Sequence, residues 1–207
     1  MNTQFESMLN IYLVLGTENS LKSIVFMKMV DFLVKHKQLE SVMIDQVRDI
    51  ANLSADWYLQ KEERINLYIH CGQALDSESD HRGAFKVYFQ AFKLINSLSA
   101  KEQKEKTRKS EAESLIISAL KSPEVINLEE IMLLDAIQEL KNSSKEIFGL
   151  ATTILTSEMK AFSKDLDKYK KVLEDYKVSR DLVEEKKRFI TICSLDIEES
   201  TGRVLKF

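Results

Sequence analysis

One proline and five glycines in 207 residues leave this chain few ways to turn sharply. Glycine supplies the left-handed and close-approach backbone that tight turns and phosphate-cradling loops require, and proline marks rigid turns. A chain this poor in both has no means of building a glycine-rich nucleotide loop. It can build helices. Apolar residues recur at intervals of three and four almost without pause from Gln4 to Glu199. The fold class this predicts is all-α: an irregular solenoid of antiparallel helix pairs, about ten helices in all, with no sheet before Gly202.

The spacing predicts helices over residues 4–15, 21–36, 39–53, 61–75, 81–98, 102–120, 128–140, 145–156, 158–176 and 180–197. Gly16 is expected to end the first in the left-handed conformation, and Asn19 or Ser20 to cap the second. Residues 76–80 (DSESD) read as a loop. Pro123 ends the helix before it, because the residue preceding proline is pushed out of the helical region. Asn127 caps the next helix, with Glu129 and Glu130 well placed against the positive end of its dipole. Ser143 or Ser144 caps the helix at 145. Trp57, the only tryptophan, sits in a short polar link and is expected to dock on the start of the helix at Lys61. Residues 202–207 (GRVLKF) alternate with period two, the signature of a strand.

Charge and cysteine content narrow the function. The formal net charge is −3, whereas phosphate-binding chains carry a clear excess of Lys and Arg. Cys71 and Cys193 are the only cysteines, far apart and without CxxC spacing, as in a reduced, cytoplasmic protein. The longest greasy stretch, 24–34, is interrupted by Lys28 and Asp31 and falls short of the ~20 apolar residues a membrane span needs. It reads as a buried helix.

No residue pattern points to catalysis, a metal or a cofactor. His70 and Cys71 are adjacent, and neighbours on a helix project about 100° apart, too far to act as a nucleophile–base pair. His36, His70 and His81 lack the i, i+4 spacing of a helical zinc site. The acidic pairs Glu129/Glu130, Glu184/Glu185 and Glu198/Glu199 read as solvated surface rather than paired acid and base. Residues 101–109 (KEQKEKTRK) hold five basic residues against two glutamates and read as a solvated helix start. A weak RNA-facing patch is the alternative there, without interleaved aromatics for base stacking. Phe162, Leu166, Tyr169, Leu173 and Tyr176 form a short a/d stripe that is expected to pack within the array.

Residues 186–191 (KKRFIT), then Ser194-Leu195 and the alternating end at Val204–Phe207, resemble the last solenoid helix and winged-helix lead-in of the PCI-domain family. Upstream, Asp45-Gln-Val-Arg48 with Trp57, Ala119-Leu-Lys121 with Pro123, and the helices over 128–150 resemble the subunit M branch of eukaryotic translation initiation factor 3. The resemblance spans about residues 39–207, and order and spacing carry it. It implies a right-handed helical repeat over 1–200, with 201–207 at the start of a truncated winged-helix region. It also implies a non-catalytic scaffold that binds other initiation factor 3 subunits and meets the ribosome indirectly, with no membrane partner. A signalosome or proteasome-lid PCI subunit, or an RNA-binding adaptor, is the alternative. The candidate protein interface is Arg188, Phe189, Ile192, Val204, Leu205 and Phe207. Self-association of the isolated chain through residues 186–207 is expected from an uncovered helix beside an unpaired strand.

Overall fold

The computed structural model describes residues 3–98 and 108–200, with side chains to Cys193, and among them every regular element is a helix. The chain divides into two compact units, Met1–Thr107 and Arg108–Phe207.

The first unit holds α1 (Thr3–Val14), α2 (Leu21–Lys35), three short helices α3 (Leu39–Val42), α4 (Ile44–Arg48) and α5 (Ile50–Leu53), then α6 (Lys61–Ser77) and α7 (His81–Asn96). Its centre is the α6–α7 hairpin. Gly72 lets the two helices close up, since a Cβ there would stand 2.6 Å from the Tyr88 ring. Ile65, Leu75, Ala84 and Phe92 are buried between them, and α2 adds Phe26, Met29, Val30 and Leu33. Glu63 accepts the Gln60 N–H at 2.8 Å to open α6, and Asp80 accepts the Gly83 N–H at 3.1 Å to open α7.

Several expectations are corrected in this unit. Residues 39–53 form three short helices, broken where Met43 (φ −139) and Asp49 (φ −100) leave helical geometry. The reason is tertiary: α3 packs on α2, whereas α4 and α5 pack on α6 and α7, and one straight rod cannot follow both. Leu39, Met43, Val47 and Ile50 are all buried as a result. α6 runs through Asp76 and Ser77, so the loop shrinks to Glu78–Asp80. Gly16 ends α1 without entering the left-handed region. Between the candidate caps of α2, Asn19 acts, its Oδ1 accepting the Leu21 N–H at 3.0 Å, and Ser20 does not. Trp57 is buried, but its aromatic partners are Tyr12 and Phe26 of α1 and α2, with centroids 6.0 and 5.7 Å away. The start of α6 meets its backbone instead: Arg64 donates to Trp57 O at 3.1 Å.

The second unit holds α8 (Lys109–Lys121), α9 (Leu128–Met132), α10 (Asp135–Ser143), α11 (Lys145–Thr156), α12 (Met159–Leu166), a 3-10 turn (Asp167–Tyr169), α13 (Lys170–Asp175) and α14 (Arg180–Ser200). α14 packs on α8, α11 and α12 around Leu115, Ile116, Leu150, Ile154, Phe162, Leu166 and Val183. Ser122 is extended (ψ 109) ahead of Pro123, and Asn127 Oδ1 accepts the Glu130 N–H at 3.4 Å, both as expected. α8 starts at Lys109, because Arg108 (φ −106, ψ 49) is not helical; residues 99–107 lie outside the described part.

The helix expected over 128–140 breaks at Leu134, which is extended (ψ 132). Buried Leu128, Ile131, Leu134, Ile137 and Leu140 recur every three residues. At 3.6 residues per turn each step falls about 60° short, so four steps would carry a straight helix's apolar face about 240° round. The break resets the face. The helix expected over 158–176 tightens at the 3-10 turn, where Tyr169 lies over Gly149 and accepts the Thr153 hydroxyl at 3.2 Å. Phe162, Leu166 and Leu173 of the a/d stripe are buried inside the unit, and Tyr169 and Tyr176 are half-buried.

Helix ends use left-handed residues that are not glycine: Lys37 (φ 54), Ser79 (φ 63) and Lys177 (φ 52). After each, an N–H reaches back five residues, Gln38 to Leu33 O, Asp80 to Leu75 O and Val178 to Leu173 O, at 2.8–2.9 Å. These are Schellman closures of α2, α6 and α13. A side chain in this conformation costs about 1–2 kcal/mol. A glycine there removes that cost while freeing the unfolded chain by about 0.4–1 kcal/mol. Lys37→Gly, Ser79→Gly and Lys177→Gly should therefore each stabilise the protein, by about 0.5–1 kcal/mol in urea denaturation. Trp57→Ala should cost about 3–5 kcal/mol in the same assay, because it empties the site between α1 and α2.

Candidate interaction surface

α14 carries the described candidate residues, and two buried lysines decide which way they face. Its first turn is pinned by Arg180, which donates to Asp167 Oδ1 at 2.5 Å, Glu184 Oε1 at 3.1 Å and Ser163 O at 2.8 Å. One turn on, Val183 is buried, and after it Lys186 and Lys187, 1% and 5% exposed. Lys186 Nζ donates to Ser122 O at 2.6 Å and to Val125 O. These carbonyls flank Pro123 just past the end of α8, where a helix leaves acceptors unpaired and its dipole is negative. Burial pushes the Lys186 pKa down to about 8, against a smaller upward pull from Glu124. Lys187 Nζ reaches Leu155 O in the last turn of α11 at 3.4 Å and lies 6.0 Å from the Phe162 ring centre; burial lowers its pKa too.

With positions 183, 186 and 187 turned in, positions 188, 189 and 192 turn out. Arg188 is exposed, Phe189 is 50% exposed and Ile192 55%, so these three form one stripe. Ile190 and Cys193, within the stretch 186–207 expected to be uncovered, are partly covered. Val204, Leu205 and Phe207, with the expected strand, lie outside the described residues. Sequence reasoning missed the lysine anchors, because a lysine is almost always a surface residue. A signal was there: Lys186 and Lys187 occupy the apolar phase between Val183 and Ile190.

The remaining candidates do not converge. Cys71 is wholly buried and burial pushes its thiol pKa up, which disfavours a reactive thiolate. His70 Nε2 lies 3.0 Å from Asp31 Oδ1, and His81 Nδ1 3.1 Å from Asp76 Oδ1, on separate stretches of α6 and α7. Glu129, Glu130 and Glu185 are exposed. Residues 101–107 of the basic run lie outside the described part. Sequence reasoning did not single out Glu113 of α8, which accepts the Ser144 hydroxyl and, at 3.2 Å, the Tyr176 hydroxyl. The Ser144 side chain therefore ties α11 to α8 instead of capping its own helix. A cavity of about 330 Å³ opens beside this cluster. Tyr176's pKa is raised by burial and then by the Glu113 carboxylate.

No family model, curated protein or solved structure matches the chain. Among the described residues no helix is long and apolar enough to cross a membrane.

The Lys186 anchor has a pH signature. Its folded pKa of about 8 lies below the ordinary 10.5, so between these values the unfolded chain holds more protons and stability rises with pH. Lys186→Met lacks this term. The difference in unfolding free energy between wild type and Lys186→Met should move in favour of wild type by about 1.4 kcal/mol per pH unit above pH 8, levelling near ~3 kcal/mol. Urea unfolding of both proteins at pH 7, 8.5 and 10 measures it.

Proposed function

We propose that this chain is a non-catalytic scaffold, a right-handed helical-repeat segment of a PCI subunit that binds neighbouring subunits of initiation factor 3 in the cytoplasm. The observation that carries this reading is the Arg188–Phe189–Ile192 stripe, held outward on a helix whose inner face is locked by Lys186 and Lys187. Exposed aromatic and arginine side chains on a rigid support are the residue types that dominate protein interfaces. The buried charged groups described on α14, Lys186 and Lys187, are spent on helix ends.

The resemblance names the complex. Its residues occupy posts that hold helices to one another, which supports reading them as a set. Arg48 donates to Asp80, the cap of α7, at 2.6 Å; Trp57 is buried between α1 and α2; Pro123 ends α8 and Lys186 covers that end. Contact with the ribosome is indirect, through the other subunits. The chain, immobilised, should retain purified initiation factor 3 subunits and not signalosome subunits. Phe189→Asp with Ile192→Asp should weaken that retention at least ~10-fold with an unchanged melting temperature, as loss of an exposed hot spot does. Retention of signalosome subunits alone, or of neither set, would refute the assignment.

A further inference from the structure

The break in the chain at Asp49 leaves a space that the first unit does not fill. A cavity of about 270 Å³ lies between residues 48–52, where α4 passes into α5, and residues 85–90 of α7. Its floor is buried, formed by Ile50, Val87 and Tyr68 of α6. Phe85 and Phe89 make one wall; both are half-buried, and their rings stack with centroids 5.6 Å apart and planes 16° apart. Exposed Arg48, Asp49, Asn52, Lys86 and Gln90 stand at the rim.

Tyr68 is the group that the fold alone does not explain. It is only 5% exposed, yet its hydroxyl has no hydrogen-bond partner among the described residues. A buried tyrosine hydroxyl normally finds a partner, and one without a partner calls for an explanation. The cavity that Tyr68 lines is where that partner can enter. The surrounding wall is already in place, so a ligand would not have to order it, which lowers the cost of binding.

The rest of the lining says what fits. Arg48 is engaged by Asp80 at 2.6 Å and by Asp45 at 3.1 Å. The other charges at the rim are one of each sign, Lys86 and Asp49, and Asp49 also accepts the Asn52 amide at 2.6 Å. Lys93 lies over the Phe89 ring, 4.2 Å from its centre, and is not part of the lining. The rim therefore offers no net pull on an ion, and a neutral ligand suits it. Tyr68, Asn52 and Gln90 carry groups that both donate and accept hydrogen bonds. Gln90, like Tyr68, has no partner among the described residues. A ligand that meets these groups carries donors and acceptors on one edge. The phenylalanine wall suits a flat ring, since aromatic rings pack on one another by stacking or edge to face. The volume falls just below the ~300–1,000 Å³ of pockets for drug-sized ligands, which leaves room for one ring.

We infer that this cavity binds a single neutral heteroaromatic ring with N–H and C=O groups on one edge, the class of a free pyrimidine base. Tyr68 bonds the polar edge, and Phe85 and Phe89 pack on the ring. A ring without such an edge displaces water from the Tyr68 hydroxyl and leaves it unpaired, so the site discriminates against it. The site belongs wholly to the first unit, shares no residue with the α14 stripe, and does not rest on the scaffold reading.

Uracil is the probe, and benzene, a ring of similar size without a polar edge, is the control. Titration of the full chain followed by amide-resolved NMR should shift residues 48–52 and 85–90. Uracil should bind with a Kd of ~1 mM or below, at least ~10-fold more tightly than benzene. Tyr68→Phe keeps the ring and removes the hydroxyl. It should weaken uracil binding about 5- to 10-fold and leave the melting temperature unchanged, because the hydroxyl has no protein partner to lose. Gln90→Ala, at an exposed position, should weaken uracil several-fold on the same terms, and it decides the matter if Tyr68→Phe unfolds. An absence of saturable shifts with uracil would overturn the inference, since the cavity would then hold water only. Equal binding of uracil and benzene, or variants that bind uracil as wild type does, would overturn it too. So would tighter binding of uridine monophosphate than of uracil, since the rim would then select an anion. Retention of initiation factor 3 subunits reads the α14 stripe and is independent of each of these outcomes.

Discussion

Every helix in this protein ends on carbonyls that have no partner within the helix, and the structure depends on how those acceptors are satisfied. With so few glycines, the chain does it by two other means. Lys37, Ser79 and Lys177 take the left-handed conformation and close α2, α6 and α13 through their own backbone. Elsewhere cationic side chains reach in from another helix. Lys22 bonds Leu15 O after α1, Arg64 bonds Ser54 O after α5, Lys186 bonds Ser122 O after α8, and Lys187 bonds Leu155 O in the last turn of α11. Each such contact does two things at once. It neutralises the negative end of a helix dipole, and it fixes that end against another helix.

This use of charge links the fold to its surfaces. Because Lys186 and Lys187 are committed inward, Arg188, Phe189 and Ile192 are held outward without freedom to roll α14 under them. The same logic holds at the α1–α2 corner, where Lys22 and the Tyr12–Phe26–Trp57 triangle support an apolar rim. Cations committed at helix ends keep these surfaces in shape. The isolated cost is real, since burial alone depresses the Lys186 pKa, and the carbonyl acceptors offset it.

The helical class was legible because periodicity and scarcity of breakers are local properties, and so were the end of α8 at Pro123 and the Asn127 cap. α11 was legible to the residue. What sequence reading joined and the structure broke, at Met43, Asp49 and Leu134, has no local breaker at all. Those breaks follow from which neighbour each turn must meet. The exposed Phe189 and Ile192 were legible as apolar residues on a final helix, whereas the α1–α2 corner was missed. Its residues look like core in the sequence, and they are exposed because no described element covers them.

The sequence by itself determined that the chain is helical and where most of the described helices start. These follow from backbone sterics, capping chemistry and the 3.6-residue repeat, which act over a few residues. Tertiary structure alone decided which lysines are surface and which are structural, where rods break, and which apolar residues stay uncovered. Lys186 and Lys168 are the same residue chemically, one 1% exposed and donating to carbonyls about sixty residues away, the other paired with Asp165 on the surface. Burial is a property of what lies opposite a side chain, and what lies opposite is set by contacts far along the chain.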